Sequence, residues 1–128
     1  MDSHTSRPAA KVLLVDDDQT VLQLGAAMLS LLGYEVCTAH GGEEAVAMFT
    51  QIHQELSVVV LDLSMPYLDG PETLTCLQAI NSSVPIVLSS GYSEDHATQR
   101  IGEKRYTDFL PKPYTLDSLQ QVLAAVLA

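Results

Sequence analysis

The stretch Val58-Val59-Val60-Leu61-Asp62-Leu63-Ser64-Met65-Pro66 decides how this chain folds. Four apolar, mostly β-branched residues run into a single carboxylate and then into the turn-forming Pro66-Tyr67-Leu68-Asp69-Gly70. That is the pattern of a strand buried on both faces whose end delivers Asp62 to a loop. An acid at the C-terminal end of a buried strand is an active-site pattern in open α/β sheets. Taken alone, the stretch equally allows Asp62 to cap the following turn. The rest of the chain breaks the tie.

Working outward, Lys11-Val12-Leu13-Leu14-Val15 is a second apolar run that also stops at carboxylates, Asp16-Asp17-Asp18. Three adjacent acids repel one another unless a cation or a helix N-terminus lies close. From Gln19 the spacing turns helical, with Val21, Leu24, Met28, Leu31 and Leu32 on one expected core stripe, Asp18 placed as N-cap and Gly33 as a left-handed C-terminal residue. Tyr34 to Ala39 alternates as a half-exposed strand, and Glu43 to about Gln54 reads as a second helix. Beyond Asp62, Glu72 to Ile80 forms a third helix with Pro71 at its first position. Pro85 to Gly91 is a fourth strand ending in hydroxyls, and Ser93 to about Glu103 a weakly apolar fourth helix. Asp108-Phe109-Leu110 is a short fifth strand followed by Pro111-Lys112-Pro113, and Thr115 caps a last helix with Leu116, Leu119, Val122, Leu123 and Val126 on its apolar stripe. Strand and helix alternating five times over specify a doubly wound α/β sheet with parallel strands. Residues 1–10 are polar and small, a lead-in or linker to one domain over 11–128.

With 47% hydrophobic residues, the 128-residue chain can bury a core without metal or disulfide staples. Its formal charge of −10 and lack of any Lys/Arg cluster argue against a nucleic-acid surface and against anionic membrane, leaving cations and basic protein surfaces as partners. No apolar run is long enough to span a bilayer, and a cytoplasmic location is expected. Cys37 and Cys76 form no C-x-x-C and are expected as reduced, buried small side chains. His4, His40, His53 and His96 are scattered and expected in loops or facing solvent.

The carboxyl ends of strands in such a sheet line one crevice. Those ends carry Asp16 and Asp17, Asp62, Ser90 and Lys112, a set too polar for a structural core. Burying the acids without a counter-charge would be prohibitive, so a divalent cation is implied, and oxygen-only ligands favour Mg²⁺ over Zn²⁺. A hard cation beside a carboxylate, a hydroxyl and a lysine suits phosphoryl transfer through an acyl phosphate. No P-loop or kinase signature is present, so the phosphoryl group has to arrive from another molecule.

Val15-Asp16-Asp17, the Asp62-Leu63-Ser64-Met65-Pro66 and Asp69-Gly70 segment, Ser89-Ser90-Gly91 and Lys112-Pro113, in this order and at this spacing, resemble the receiver domains of two-component response regulators. The wording around Asp69-Gly70-Pro71-Glu72 and Ser89 to Ser93 is closest to receivers of hybrid histidine kinases. The resemblance implies a flavodoxin-like sheet of order 2-1-3-4-5 with five helices, and it makes Asp62 the phosphoacceptor. Asp17, Asp62 and the Ser64 carbonyl would bind Mg²⁺, with Asp16 acting largely through water. Lys112 and Ser90 would hold phosphoryl oxygens, the Gly91 N–H would approach them, and Lys112-Pro113 would be cis. Phosphorylation would draw Ser90 inward, with Phe109 at the switch-aromatic position swinging from exposed to buried or serving as plain core. Tyr92 would slow hydrolysis of the acyl phosphate.

The implied donor is a sensor histidine kinase or a histidine phosphotransfer protein. Output would pass through the face of the fourth helix, fifth strand and last helix, with phosphorylation-linked dimerisation a further expectation. No output domain is expected beyond the last helix, and the parent is either a stand-alone regulator or a hybrid kinase with this receiver at its C-terminus. Two rival readings stand beside this one. An Mg²⁺-dependent phosphatase with an aspartyl-phosphate intermediate would carry a second acid where Ser64 stands. A pseudo-receiver acting only as an interaction module would not need all five pocket residues.

Overall fold

A computed structural model describes residues 10–63, 70–91, 94, 95, 99 and 106–128. Five parallel strands, β1 (Lys11–Val15), β2 (Glu35–Ala39), β3 (Val58–Asp62), β4 (Ile86–Ser90) and β5 (Asp108–Pro111), form one sheet in the order β2-β1-β3-β4-β5. The flavodoxin-like architecture and strand order are those expected. Among the described residues there are four α-helices rather than five: α1 (Gln19–Leu31), α2 (Gly42–Ile52), α3 (Gly70–Ile80) and α4 (Leu116–Val126). The helix expected from Ser93 to about Glu103 lies mostly outside the described residues, of which Glu94, Asp95 and Gln99 have helical backbone.

All five residues of β3 are buried, because helices cover both faces of the sheet. Successive side chains alternate between the two layers. Val59, Leu61 and Leu63 pack with Phe49 of α2 and Leu74 and Leu77 of α3, while Val58 and Val60 pack with Leu22 and Leu29 of α1 and Leu119 and Leu123 of α4. The helix ends follow local chemistry. The Asp18 carboxylate accepts the Thr20 and Val21 N–H groups, Gly33 sits at φ 97°, and Thr115 and Ser118 form a reciprocal capping box. The Lys112–Pro113 peptide is cis.

Three local expectations are corrected, the briefest being that Cys37 and Cys76, both free thiols, are half-buried and not buried. The expected core stripe of α1 turns only partly inward: Met28 and Leu32 pack against the core, but Leu24 is 59% and Leu31 75% exposed, and the buried face is Leu22, Gly25 and Leu29. His53 is not a solvent-facing loop residue. It follows α2 in a short 3₁₀ turn, stacks on Phe49 with ring centroids 5.6 Å apart, and its Nδ1 accepts from Asn81 Nδ2 at 2.9 Å. His40 is exposed beside Glu44, as expected, whereas His4 and His96 lie outside the described residues.

Candidate functional site

Strand register assembles the site. Val15 pairs with Leu61 and Asp62 with Ser89, so Asp16 and Asp62 leave adjacent strands side by side. Ser90 pairs with Pro111, which sets Lys112 one residue past the same edge. Backbone bonds hold these strand ends: Asp16 N–H donates to Ala39, Leu63 N–H to Ser89 and Lys112 N–H to Ser90, at 3.1, 2.9 and 2.9 Å.

Asp16 and Asp62 are each only 2% exposed, and one ammonium serves both: Lys112 Nζ lies 2.6 Å from Asp16 Oδ2 and 3.3 Å from Asp62 Oδ1. The other Asp16 oxygen accepts the Asp18 N–H at 2.9 Å. Burial opposes the Lys112 charge, but the hydrogen bond to Asp16 and the charges of Asp62 and Asp16 more than offset it, so its pKa stands above the ordinary lysine value. Asp17 is exposed, and carboxylate oxygens of Asp16, Asp17 and Asp62 lie within 4.8 Å of one another. Three carboxylates against one ammonium leave the cluster negative, and its oxygen-only donors suit a hard divalent cation.

The remaining expected residues are distributed as follows. Ser90 is fully buried, Gly91 is exposed with open space where a Cβ would stand, and Ser64 and Tyr92 lie outside the described residues. Phe109 is 7% exposed in the core layer of α2 and α3, at the buried end of the expected swing.

Tyr114 carries no signal in the sequence. Its hydroxyl is buried without a hydrogen-bond partner among the described residues, and an added Cβ on Gly25 would lie 2.6 Å from it. Burial, then the Asp16 and Asp62 charges, push its pKa up to about 12. The ring also lines a cavity of about 340 Å³ with Val21, Leu24 and Met28 of α1, Gly91, Lys112 and Pro113. The only sequence signal for this cavity is the apolar stripe of α1, which reads as core until the helix is docked.

A parallel sheet of this order with an acid cluster and a lysine at its carboxyl edge defines a flavodoxin-like domain with an acidic pocket at the ends of its strands. Residues 12–124 match the model of the response regulator receiver domain, and the chain belongs to that family. It is 34% identical over 119 residues to the sensor kinase CckA of Brucella abortus, covering 93% of this chain and 13% of that protein. It is 39% identical over 128 residues to the transcriptional regulatory protein PrrA of Mycobacterium leprae, covering 99% of this chain and 53% of that protein. The chain thus spans about half or less of these relatives. Among solved structures it resembles the chemotaxis protein CheY4 of Vibrio cholerae, with TM-score 0.81 and 29% identity over 94% of this chain and 100% of that one. TrrA of Thermotoga maritima, solved in complex with Mg²⁺-BeF, has TM-score 0.81 and 27% identity over 92% of this chain and 99% of that one. Among the described residues no helix is long and apolar enough to cross a membrane.

Proposed function

We propose that this domain is a cytoplasmic phosphoacceptor in a histidine-to-aspartate relay, with Asp62 as the residue phosphorylated. An Asp62 carboxylate oxygen attacks the phosphorus of a partner's phosphohistidine. A P–O bond forms, the P–N bond breaks, and the departing imidazole keeps the electron pair and takes up a proton. The observation that carries this reading is the single Lys112 ammonium shared by two almost fully buried carboxylates at the carboxyl edge of the sheet. Held protonated, that ammonium stands where charge develops on the transferring group.

Asp16, Asp17, Asp62 and the Ser64 carbonyl would hold Mg²⁺, which when bound supplies positive charge opposite the phosphoryl oxygens. The acid cluster and the Mg²⁺-BeF complex of TrrA support this choice of metal. Ser90 and the Gly91 N–H then accommodate phosphoryl oxygens, and Phe109, already buried, is held there on phosphorylation. A phosphohistidine-bearing helix is accommodated at α1, where Val21, Leu24 and Met28 line a cavity together with Lys112. The β5/α4 side, with the segment expected as the fourth helix, carries output to a protein effector and phosphorylation-linked dimerisation. A sensor kinase and a transcriptional regulator both occur among the relatives, so the parent of this domain is a hybrid histidine kinase or a regulator.

Intact mass after incubation with phosphoramidate and Mg²⁺ tests the reading. One phosphate adduct is expected, absent with chelator and absent from Asp62→Asn. Steady release of phosphate without an adduct would favour a phosphatase. A folded, Mg²⁺-binding protein that takes up no phosphate would favour an interaction module.

A further inference from the structure

We propose that Ser89 is a further catalytic residue, whose hydroxyl donates to the Asp62 oxygen as that oxygen leaves phosphorus in hydrolysis of the acyl phosphate. The inference rests on the role of Asp62 proposed above. Ser89 is 2% exposed, and its Oγ is buried without a hydrogen-bond partner among the described residues. Such a group destabilises the domain that carries it, which points to another state in which a partner arrives.

Strand register decides which group that partner is. Ser89 is the cross-strand neighbour of Asp62 on β3 and of Leu110 on β5. Val87, two residues before Ser89, and Leu110 both belong to the layer covered by α1 and α4. So do Val58 and Val60, the alternate residues that lead to Asp62. Alternation therefore turns Ser89 and Asp62 to the same face of the sheet, on strands about 4.8 Å apart. Of the two neighbours only the Asp62 side chain can accept from a hydroxyl. A carboxylate has about four acceptor sites, so it can take a further donor beside Lys112.

Charge decides when the bond forms. In the unphosphorylated domain the Lys112 ammonium serves Asp62 at 3.3 Å, and Ser89 Oγ is held in reserve. Phosphorylation sets anionic oxygens beyond Asp62, and Lys112 turns to them. In hydrolysis a water oxygen then attacks phosphorus and forms the new P–O bond. The bond from phosphorus to the Asp62 oxygen breaks, its electron pair returns to Asp62 as carboxylate, and phosphate carries off the oxygen and both protons of the water. Negative charge thus develops on Asp62 at the register position of Ser89, where a hydroxyl that gives up no existing bond stabilises it.

The test loads the wild type, Ser89→Ala and Ser89→Cys from phosphoramidate with Mg²⁺, removes the donor by desalting, and follows the adduct over time by intact mass. Melts of the same proteins without donor run beside it. Ser89→Ala is expected to melt at or slightly above the wild type, because the orphan hydroxyl is gone, and to take up phosphate within about twofold of the wild-type rate. Its adduct should persist roughly three to ten times longer, the scale of one hydrogen bond to a partly charged oxygen. Ser89→Cys, whose thiol is a weaker donor, should fall between the two.

A wild-type or shorter adduct lifetime in Ser89→Ala would overturn the proposal and leave the serine a structural role alone. So would a Ser89→Ala chain that takes up no phosphate, or one that melts well below the wild type, which would give the hydroxyl a partner before phosphorylation. If the wild type itself takes up no phosphate, the phosphoacceptor reading falls and this inference falls with it.

Discussion

Removing the Lys112 ammonium would take from the buried Asp16 and Asp62 carboxylates the counter-charge they share. Lys112→Ala should therefore destabilise the metal-free domain by about 2 kcal/mol, less than for a fully buried pair because solvent reaches the ammonium. The same loss of positive charge should tighten Mg²⁺ binding while slowing phosphate uptake, so thermal melts with and without MgCl₂ should converge on the wild type only when metal is present. Equal Mg²⁺ affinity in the two proteins would contradict the shared-ammonium electrostatics. Tyr114 carries the opposite sign of effect. Its raised pKa of about 12 means that the folded state holds a proton the unfolded state releases from about pH 10 upward. The corresponding stability is present below pH 10 and lost as the pH rises toward 12. Tyr114→Phe removes that alkaline loss together with an unpartnered buried hydroxyl, and should raise the melting temperature at pH 8 while flattening its decline above pH 10. A melting temperature below wild type at pH 8 would show that the hydroxyl has a stabilising partner. Asp16, Asp62 and Lys112 were legible in the sequence because each terminates or follows an apolar run. Tyr114 was not, because a ring two residues past a lysine carries no periodic signal.

At the scale of the element, α1 shows where a pattern is ambiguous. Val21, Leu24, Met28, Leu31 and Leu32 keep helical spacing, but so do Leu22, Gly25 and Leu29, and apolar residues surround the helix. Docking selects the second set, because a glycine on that face admits the Tyr114 ring and the end of Leu14. A glycine lowers the apolar count of a stripe, which is why sequence periodicity favoured the other face. Ala in place of a mid-helix Gly normally stabilises by roughly 0.5–1 kcal/mol. Here the sign should reverse, since the new Cβ would lie 2.6 Å from Tyr114 Oη and 2.9 Å from Leu14 Cδ2. Gly25→Ala should lower the midpoint of urea unfolding, and Gly25→Ala/Tyr114→Phe should recover much of the loss, because removing the hydroxyl clears the nearer clash. A stabilised Gly25→Ala single variant would show that the ring moves aside freely.

At the scale of the whole molecule, the alternation of buried strands and helices was enough to predict a doubly wound sheet, since parallel strands joined by right-handed crossovers leave few alternatives. Strand order was not contained in the spacing: it is set by which strands pair, and it entered with the family resemblance before the register bore it out. Net charge also belongs to this scale. At −10, the domain repels itself, so any added cation should stabilise it somewhat by screening. Specific binding predicts a further gain from Mg²⁺ at matched ionic strength, about 2.7 kcal/mol when the metal is a hundred times its Kd, or roughly 10 °C in a domain of this size. Melting the wild type in MgCl₂ and in NaCl of equal ionic strength separates the two contributions. Asp17 is the informative control because it is the exposed member of the acid cluster. Asp17→Asn should melt close to the wild type in NaCl, since no buried interaction is lost, yet forfeit most of the extra gain from MgCl₂. If Asp17→Asn keeps the full Mg²⁺ gain, the metal acts on the general field of the acidic surface and not at the carboxyl edge of the sheet.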